Sequence, residues 1–213
     1  MVDYLELLLD YPTLFFRYYY HIIIIGVICI IFIVSFAYRR RKNKQLITVL
    51  ENIALRRNGF VQTRLFGYPV LTFSFHDNTI RIYATPGSRY QLPYTHCVAD
   101  LTQTYEHSLT VYNETMASRI GKTLGMKDIQ IGFHSFDDAF MIKGSDEYMT
   151  TRLLPIEVQN KLLELRSFRP LLSLAGHKFS IRIPKILSIE DDYERLIETA
   201  LVFLENLRHQ NIL

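Results

Sequence analysis

The sequence has little cysteine, with only Cys29 and Cys97 among its 213 residues. Cys29 lies in a long apolar run, whereas Cys97 lies in a later segment in which polar and apolar residues alternate. If the apolar run crosses a membrane, the two thiols cannot meet in a disulfide, and such a pattern is typical of a reducing compartment. Cys97 directly follows His96 in a strand-like run, where neighbouring side chains point to opposite faces, so a catalytic Cys–His pair is not indicated.

Motifs that carry common enzymatic chemistry are also missing. The chain has no phosphate-binding loop of the G-x-x-x-x-G-K or G-x-G-x-x-G type and no G-x-S-x-G motif of serine hydrolases. Its histidines lack the H-x-x-x-H or C-x-x-C company of common metal sites. The sequence therefore predicts no catalytic residue, no cofactor and no metal site, and it favours a non-enzymatic protein over an enzyme.

An excess of charge is absent from most of the chain. Five of the 24 basic and three of the 21 acidic side chains lie before position 43, which leaves 19 basic and 18 acidic ones after it. A nucleic-acid-binding domain is expected to show a concentrated basic stripe. We therefore expect no nucleic-acid partner.

The long apolar run at residues 18–38 contains no charged side chain. At a rise of ~1.5 Å per residue, a helix of this length covers a hydrocarbon core of about 30 Å. A core helix of a soluble domain would show a polar face, and a cleavable signal peptide would show a basic start and a small-residue cleavage site. Neither feature is present, so the sequence predicts one retained transmembrane helix.

Basic residues directly after the run predict its orientation, because lysine and arginine mark the cytoplasmic side. The predicted topology and membrane-surface residues are Arg39, Arg40, Arg41 and Lys42. The predicted interfacial anchors are Tyr18, Tyr19, Tyr20 and Tyr38. We expect a single-pass protein of the cell (inner) membrane, with its N-terminus outside and its C-terminal domain in the cytoplasm.

The leader at residues 1–17 is apolar but carries Glu6, Asp10 and Pro12. Proline ends or redirects a helix, so we expect a short extracytoplasmic segment that lies in the outer interface or packs against another membrane protein. His21 reaches head groups or water in one interpretation and ligates the metal of a porphyrin-type cofactor in another.

After the apolar run, the pattern predicts a basic juxtamembrane and connecting helix at residues 39–58 and a cytoplasmic domain at residues 59–213. Alternating residues at 70–75 and 79–84 predict a hairpin, and those at 95–101 and 108–114 predict two further strands. A second hairpin is expected to turn at Gly176-His177, and a helix is expected to begin at Ser188. The predicted fold class is α+β: one N-terminal transmembrane helix followed by antiparallel strands covered by helices.

The stretch HSFDDAF is the most acid-rich feature outside the last helix. His134 with Asp137 or Asp138 has the composition of a general acid–base pair. The alternative is a loop carboxylate between two aromatic residues, Phe136 and Phe140, that pack inward.

The run from LGMKDIQIG through FDDAFMIKGSDEYMTTRLLPIEVQNKLLEL resembles a segment of membrane-anchored bacterial proteins whose domain has no assigned function. The residues that carry the resemblance are Gly125, Gly132, Phe136, Asp137, Phe140 and Gly144. It covers about a quarter of the chain, implies the same anchor and fold, and implies no activity.

These patterns favour a non-catalytic accessory or scaffold subunit of a membrane protein assembly, with the lipid bilayer and other subunits as partners. A second hypothesis is a membrane-tethered domain that binds a lipid or small amphiphile in a cavity lined by strand aromatics. Those aromatics are Phe66, Tyr68, Phe73, Phe75, Tyr83, Tyr90 and Tyr94. A weaker hypothesis is a hydrolase that uses His134 with Asp137 or Asp138.

Overall fold

The structure is a computed structural model that describes residues 3–64, 67–113 and 129–209. Within its first helix, the side chains at positions 3–18, 21, 35–40 and 42 lie outside the description. The chain forms two compact units, Met1–Lys44 and Gln45–Leu213.

The first helix, α1, runs without interruption over Asp3–Arg56. The expectation that Pro12 ends the helix is therefore wrong, since a proline removes one backbone donor and can be accommodated without ending a helix. The helix ends where Asn58 takes a left-handed conformation (φ 50°) and the Gly59 amide donates to the Ala54 carbonyl at 2.9 Å. Among the described residues, none of the helices combines the length and the apolar content that a membrane crossing requires.

The second unit is built on an antiparallel sheet. Its strands are β1 (Phe60–Gln62), β2 (Val70–Phe75), β3 (Asn78–Thr85), β4 (Tyr94–Tyr112), β5 (Met141–Gly144) and β6 (Leu171–Ile183). The order along the sheet is β1-β2-β3-β4-β5, and β6 pairs with the other edge of β4. The first part of β4 thus lies between β3 and β6, and its last part lies between β5 and β6.

The described helices of this unit follow or interrupt the strands. They are α2 (His134–Asp137), α3 (Glu147–Leu153), α4 (Ile156–Glu164) and α5 (Glu190–His209), with a 3-10 turn at Arg166–Phe168. Helix α3 begins where the Asp146 side chain accepts the Met149 amide at 2.7 Å. Helix α5 begins two residues after the predicted Ser188.

The predicted hairpin between β2 and β3 is confirmed, with His76 in a left-handed turn conformation (φ 49°). The two strands predicted at 95–101 and 108–114 are in fact one strand, β4, which stays paired with β6 across two register shifts. The hairpin predicted at Gly176-His177 is wrong, because β6 is continuous there. Gly176 (φ 56°) lies opposite Tyr105 at one of the irregularities, so its conformational freedom serves a bulge and not a turn.

Strand β4 is strongly bent. A straight strand of 19 residues is ~60 Å long at about 3.3 Å per residue. Tyr94, its first residue, nevertheless packs against the pair formed by Tyr112, its last residue, and Leu171. The register with β6 shifts between Asp100 and Leu109, and irregularities of this kind bend a strand.

A large hydrophobic core lies between the sheet and the helices of this unit. Apolar side chains from one face of the sheet, among them Ile82, Cys97 and Ile181, belong to the same buried cluster as those of α2 to α5. The last turns of α1 contribute Leu50 and Ile53 to it. The α+β part of the predicted fold class is confirmed, whereas its transmembrane part is not supported.

Candidate functional site

The first candidate region is the segment of α1 at residues 22–34, called here the apolar segment. All 13 of its residues are exposed, and eleven of them have large hydrophobic side chains. The exposed fraction of these side chains runs from 37 % at Ile24 to 72 % at Phe32. Thirteen residues make more than three turns, so the exposed apolar surface extends around every side of the helix. Such a surface is unfavourable in water and needs an apolar neighbour.

The predicted topology and anchor residues all lie on α1. Tyr19, Tyr20 and Arg41 are exposed on this helix. The side chains of the others lie outside the described ones; they are Tyr18, Tyr38, Arg39, Arg40 and Lys42. The side chain of His21 also lies outside the description, so its interpretation stays a prediction.

The HSFDDAF stretch forms α2 and the turn that follows it. The Asp137 carboxylate accepts the backbone amides of Ile131 and Gly132 at 3.2 and 2.9 Å, so both of its oxygens are used to hold the preceding turn. Phe136 and Phe140 are buried, with ring centroids 4.9 Å apart. The His134 side chain is exposed, and among the described residues it forms no hydrogen bond with the side chain of Asp137 or Asp138; only its backbone carbonyl accepts the Asp138 amide, at 2.8 Å. The stretch matches the interpretation of a loop carboxylate between aromatic anchors, and the geometry does not support the hydrolase.

The second candidate region is the face of the sheet opposite the helices, called here the open face. Strand alternation places Tyr83, His96 and Arg182 on this face in one row across β3, β4 and β6. The neighbouring row contains Arg81, Val98 and Ser180, and the next contains Thr79, Asp100 and Lys178. Val98 is buried, yet it does not belong to the cluster that the helices cover.

His96 lies at the centre of the open face. Its ring stacks on Tyr83, with centroids 4.8 Å apart and planes 9° apart, and its Nε2 lies 3.0 Å from the Thr85 hydroxyl oxygen. Tyr94 is the next residue of β4 on the same face, with its ring centroid 5.9 Å from that of His96. Partial burial, together with the charges of Arg182 and Lys178, lowers the pKa of His96 to about 4. The ring is therefore neutral near pH 7.

Charges on the open face are unbalanced. Arg81 and Asp100 form an ion pair at 2.6 Å. Lys178 and Arg182 are exposed on β6, and within the described part of the chain neither forms an ion pair. The face therefore carries two cations that Asp100 does not neutralise.

The aromatics predicted to line a cavity are divided between different surroundings. Tyr83 and Tyr94 are half-buried on the open face, whereas Phe73 is in the helix-covered core and Phe75 and Tyr68 pack at its margin. Tyr90 is 87 % exposed in the turn between β3 and β4. Phe66 lies outside the described residues. Sequence reasoning identified two members of the open face but missed His96, Lys178 and Arg182.

The alternation of β6 does contain a signal for the last two. In the stretch KFSIRI, lysine, serine and arginine occupy every second position between apolar residues, which places the polar side chains on one face. What the stretch alone does not reveal is the strand opposite it. Among the described residues, no group of three or more histidine, cysteine or acidic side chains is arranged to hold a metal ion.

Comparison with known proteins finds a shared fold. The crystal structure of the mycobacterial trehalose monomycolate transport factor A (TtfA) matches with a TM-score of 0.55 at 8 % sequence identity, over 79 % of this chain and 96 % of that one. No family model and no curated protein sequence matches this chain. At this level of identity, the similarity defines an architecture that the two chains have in common.

Proposed function

We propose that this chain is a membrane-anchored accessory or scaffold subunit of a membrane protein assembly, without catalytic activity of its own. The observation that carries the proposal is the apolar segment, which is exposed around the full circumference of α1. Lipid satisfies such a surface on all sides at once, whereas a globular partner covers one side. The crystal structure that shares the fold is described as that of a transport factor, which agrees with an accessory role.

The proposed topology is N-terminus outside and C-terminal unit in the cytoplasm of the cell (inner) membrane. It rests on the charges at the two ends of the apolar run. Three acidic side chains and one arginine precede residues 18–38, and four consecutive basic residues follow them. Clustered arginine and lysine resist translocation and stay on the cytoplasmic side.

Extraction of membranes with alkaline carbonate tests the anchor. We expect the full chain to stay in the membrane pellet and a double Ile24→Lys, Ile28→Lys variant to be released. Each lysine near the centre of a membrane helix costs roughly 2.5–3.5 kcal/mol. The matched control is Leu55→Lys, at a position of α1 that is 81 % exposed but lies outside the apolar segment. Release of the unmodified chain would remove the anchor from the proposal.

Labelling with a membrane-impermeant maleimide tests the topology. Ser88 is exposed in the turn between β3 and β4, so Ser88→Cys in a Cys29→Ser background gives one accessible thiol. Cys97 is buried and contributes no background. We expect labelling only after the cells are opened. Labelling in intact cells would place the C-terminal unit outside.

Mass spectrometry after extraction in mild detergent tests the accessory role. We expect companion subunits in fixed proportion to this chain. The Leu55→Lys variant, which keeps the same apolar segment, provides a matched sample. Recovery of the chain with lipid alone would contradict the scaffold role but not the proposed membrane anchor.

A second proposed function is the binding of a lipid or small amphiphile by the C-terminal unit. The supporting observation is the group of half-buried rings of Tyr83, His96 and Tyr94 on the open face, next to two cations that form no ion pair within the part of the chain that the structure describes. Dodecyl-chain ligands added to the full chain in neutral micelles test it.

A further inference from the structure

The open face has a cationic edge with a defined geometry. Lys178, Ser180 and Arg182 alternate along β6, so their side chains point to the same face at intervals of about 7 Å. The two long side chains can therefore converge above the Ser180 hydroxyl. Asp100 lies opposite Lys178 but is occupied by Arg81. An acidic group above Ser180 would meet two cations and one hydroxyl donor.

Beside this edge lies an apolar path. Tyr83 and His96 present stacked rings directly next to Arg182 in the same row. From His96 the path continues to Tyr94, which packs against the buried cluster of Tyr112 and Leu171. Because His96 is half-buried and neutral, it adds aromatic surface to the path and no charge.

From this arrangement we infer that the open face binds an anionic amphiphile, with its acidic head group between Lys178 and Arg182 and its alkyl chain along Tyr83, His96 and Tyr94. The inference names the site and the head-group class for the second proposed function, on which it rests. It does not depend on the membrane anchor.

The distribution of charge favours an amphiphile over a nucleic acid. A nucleic-acid strand contacts a long basic groove and loses much of its affinity without many cationic partners. On this face, Lys178 and Arg182 lie at one edge of the sheet and form no ion pair among the described residues, and the surface that continues from them is aromatic and apolar. An amphiphile with one acidic group and an alkyl chain matches this arrangement, because its head group can contact the two cations while its chain contacts the apolar surface.

Histidine resonances in NMR spectra of the full chain in dodecyl maltoside micelles provide the test, since His96 reports from the site and exposed His177 serves as an internal reference. The resonance of His96 is assigned by its loss in His96→Gln. Dodecyl phosphate is titrated in, with dodecylphosphocholine and inorganic phosphate as matched probes. The variants are Arg182→Gln and Lys178→Gln. Arg166→Gln is the matched control, because it removes an exposed arginine elsewhere on the unit.

We expect dodecyl phosphate to shift the His96 resonance in the unmodified chain. The pKa of His96 should also rise, because a nearby anion favours the protonated ring. Loss of a charge-assisted hydrogen bond should weaken binding about tenfold or more in Arg182→Gln. Lys178→Gln should weaken it in the same direction. Arg166→Gln should leave it within about twofold, as expected for a distant screened charge.

Other outcomes separate the inference from the function on which it rests. Equal affinity in Arg182→Gln, Lys178→Gln and Arg166→Gln, or equal responses to dodecyl phosphate and dodecylphosphocholine, would overturn the acidic head group and leave amphiphile binding in place. Saturation by inorganic phosphate at the same concentration would overturn the role of the alkyl chain. An unchanged His96 resonance with both dodecyl ligands would overturn the second proposed function as well.

Discussion

Two adjacent residues of β4 show how differently the two faces of the sheet treat an ionisable side chain. Cys97 points to the helix-covered face, where complete burial raises the pKa of its thiol to about 12. His96 points to the open face, where partial burial and two nearby cations lower its pKa to about 4. Both residues are kept neutral near pH 7, but only His96 lies next to charged groups that face solvent.

The comparison separates the part of the sheet that stabilises the fold from the part available to a ligand. On the helix-covered face, Ile82, Cys97 and Ile181 form one row with no exposed surface. The adjacent row, made of their sequence neighbours Tyr83, His96 and Arg182, lies on the open face. Substitutions on the first face should change stability, and those on the second should change surface properties.

The largest expected effect is on the helix-covered face. Ile82→Ala should lower the free energy of unfolding by about 2–5 kcal/mol, because a fully buried side chain is replaced by a cavity. Urea unfolding of the full chain in neutral micelles, followed by circular dichroism, measures this loss. Its neighbour on the open face provides the matched control, since Arg81→Ala should cost far less. Equal losses would mean that the open face is also a packed core.

A smaller loss is expected when a polar atom is placed in the same row. Cys97→Ser exchanges a buried thiol for a hydroxyl, and an unpaired buried hydroxyl costs about 1–3 kcal/mol. Cys97→Ala removes the sulfur without adding a polar group, so the serine variant should unfold at lower urea concentration than the alanine variant. The reverse order would indicate that the position has a hydrogen-bond partner for serine.

Much of this two-faced arrangement follows from the alternation in the sequence. The segments at 70–75 and 79–84 predict β2 and β3 because turn-forming residues separate two clear periods of two. The helices after residue 145 and residue 188 are likewise marked by acidic residues at their starts. These elements are set by local patterns, so the sequence alone is sufficient to locate them.

The continuity of β4 and β6 could not be predicted in the same way. Thr102 and Thr104 in β4 and Gly176 in β6 are polar or flexible, which in isolation suggests the end of a strand. They belong to bulges that are kept in the sheet by pairing between distant segments. The row of Tyr83, His96 and Arg182 depends on that same register, so no local pattern could reveal it.

Lowering the pH should destabilise the folded chain in part through the open face. The folded-state pKa of His96 is about 4, below the ordinary value of 6.5, so the unfolded chain binds a proton first as the pH falls. The contribution of His96 to stability is full above about pH 6.5 and is lost between 6.5 and about 4. Tyr83 and the cations Arg182 and Lys178 face the ring from the adjoining strands. The unfolding temperature of the unmodified chain should therefore fall more over this pH range than that of His96→Gln. Parallel curves of unfolding temperature against pH would contradict the assignment.

The smallest expected effect concerns the ion pair of Arg81 and Asp100, whose side chains are 46 % and 49 % exposed. Exposed pairs of this kind contribute about 0–1 kcal/mol, because water and salt screen the attraction. Arg81→Gln should therefore shift the urea midpoint little, and raising the salt concentration should reduce even that shift. Since Asp100 lies opposite Lys178, its release in this variant should also offer Lys178 an acidic partner. Weaker binding of dodecyl phosphate to Arg81→Gln at nearly unchanged stability would show that the open face is specialised for ligand charge. A loss of unfolding free energy comparable to that of Ile82→Ala would remove the distinction between the two faces.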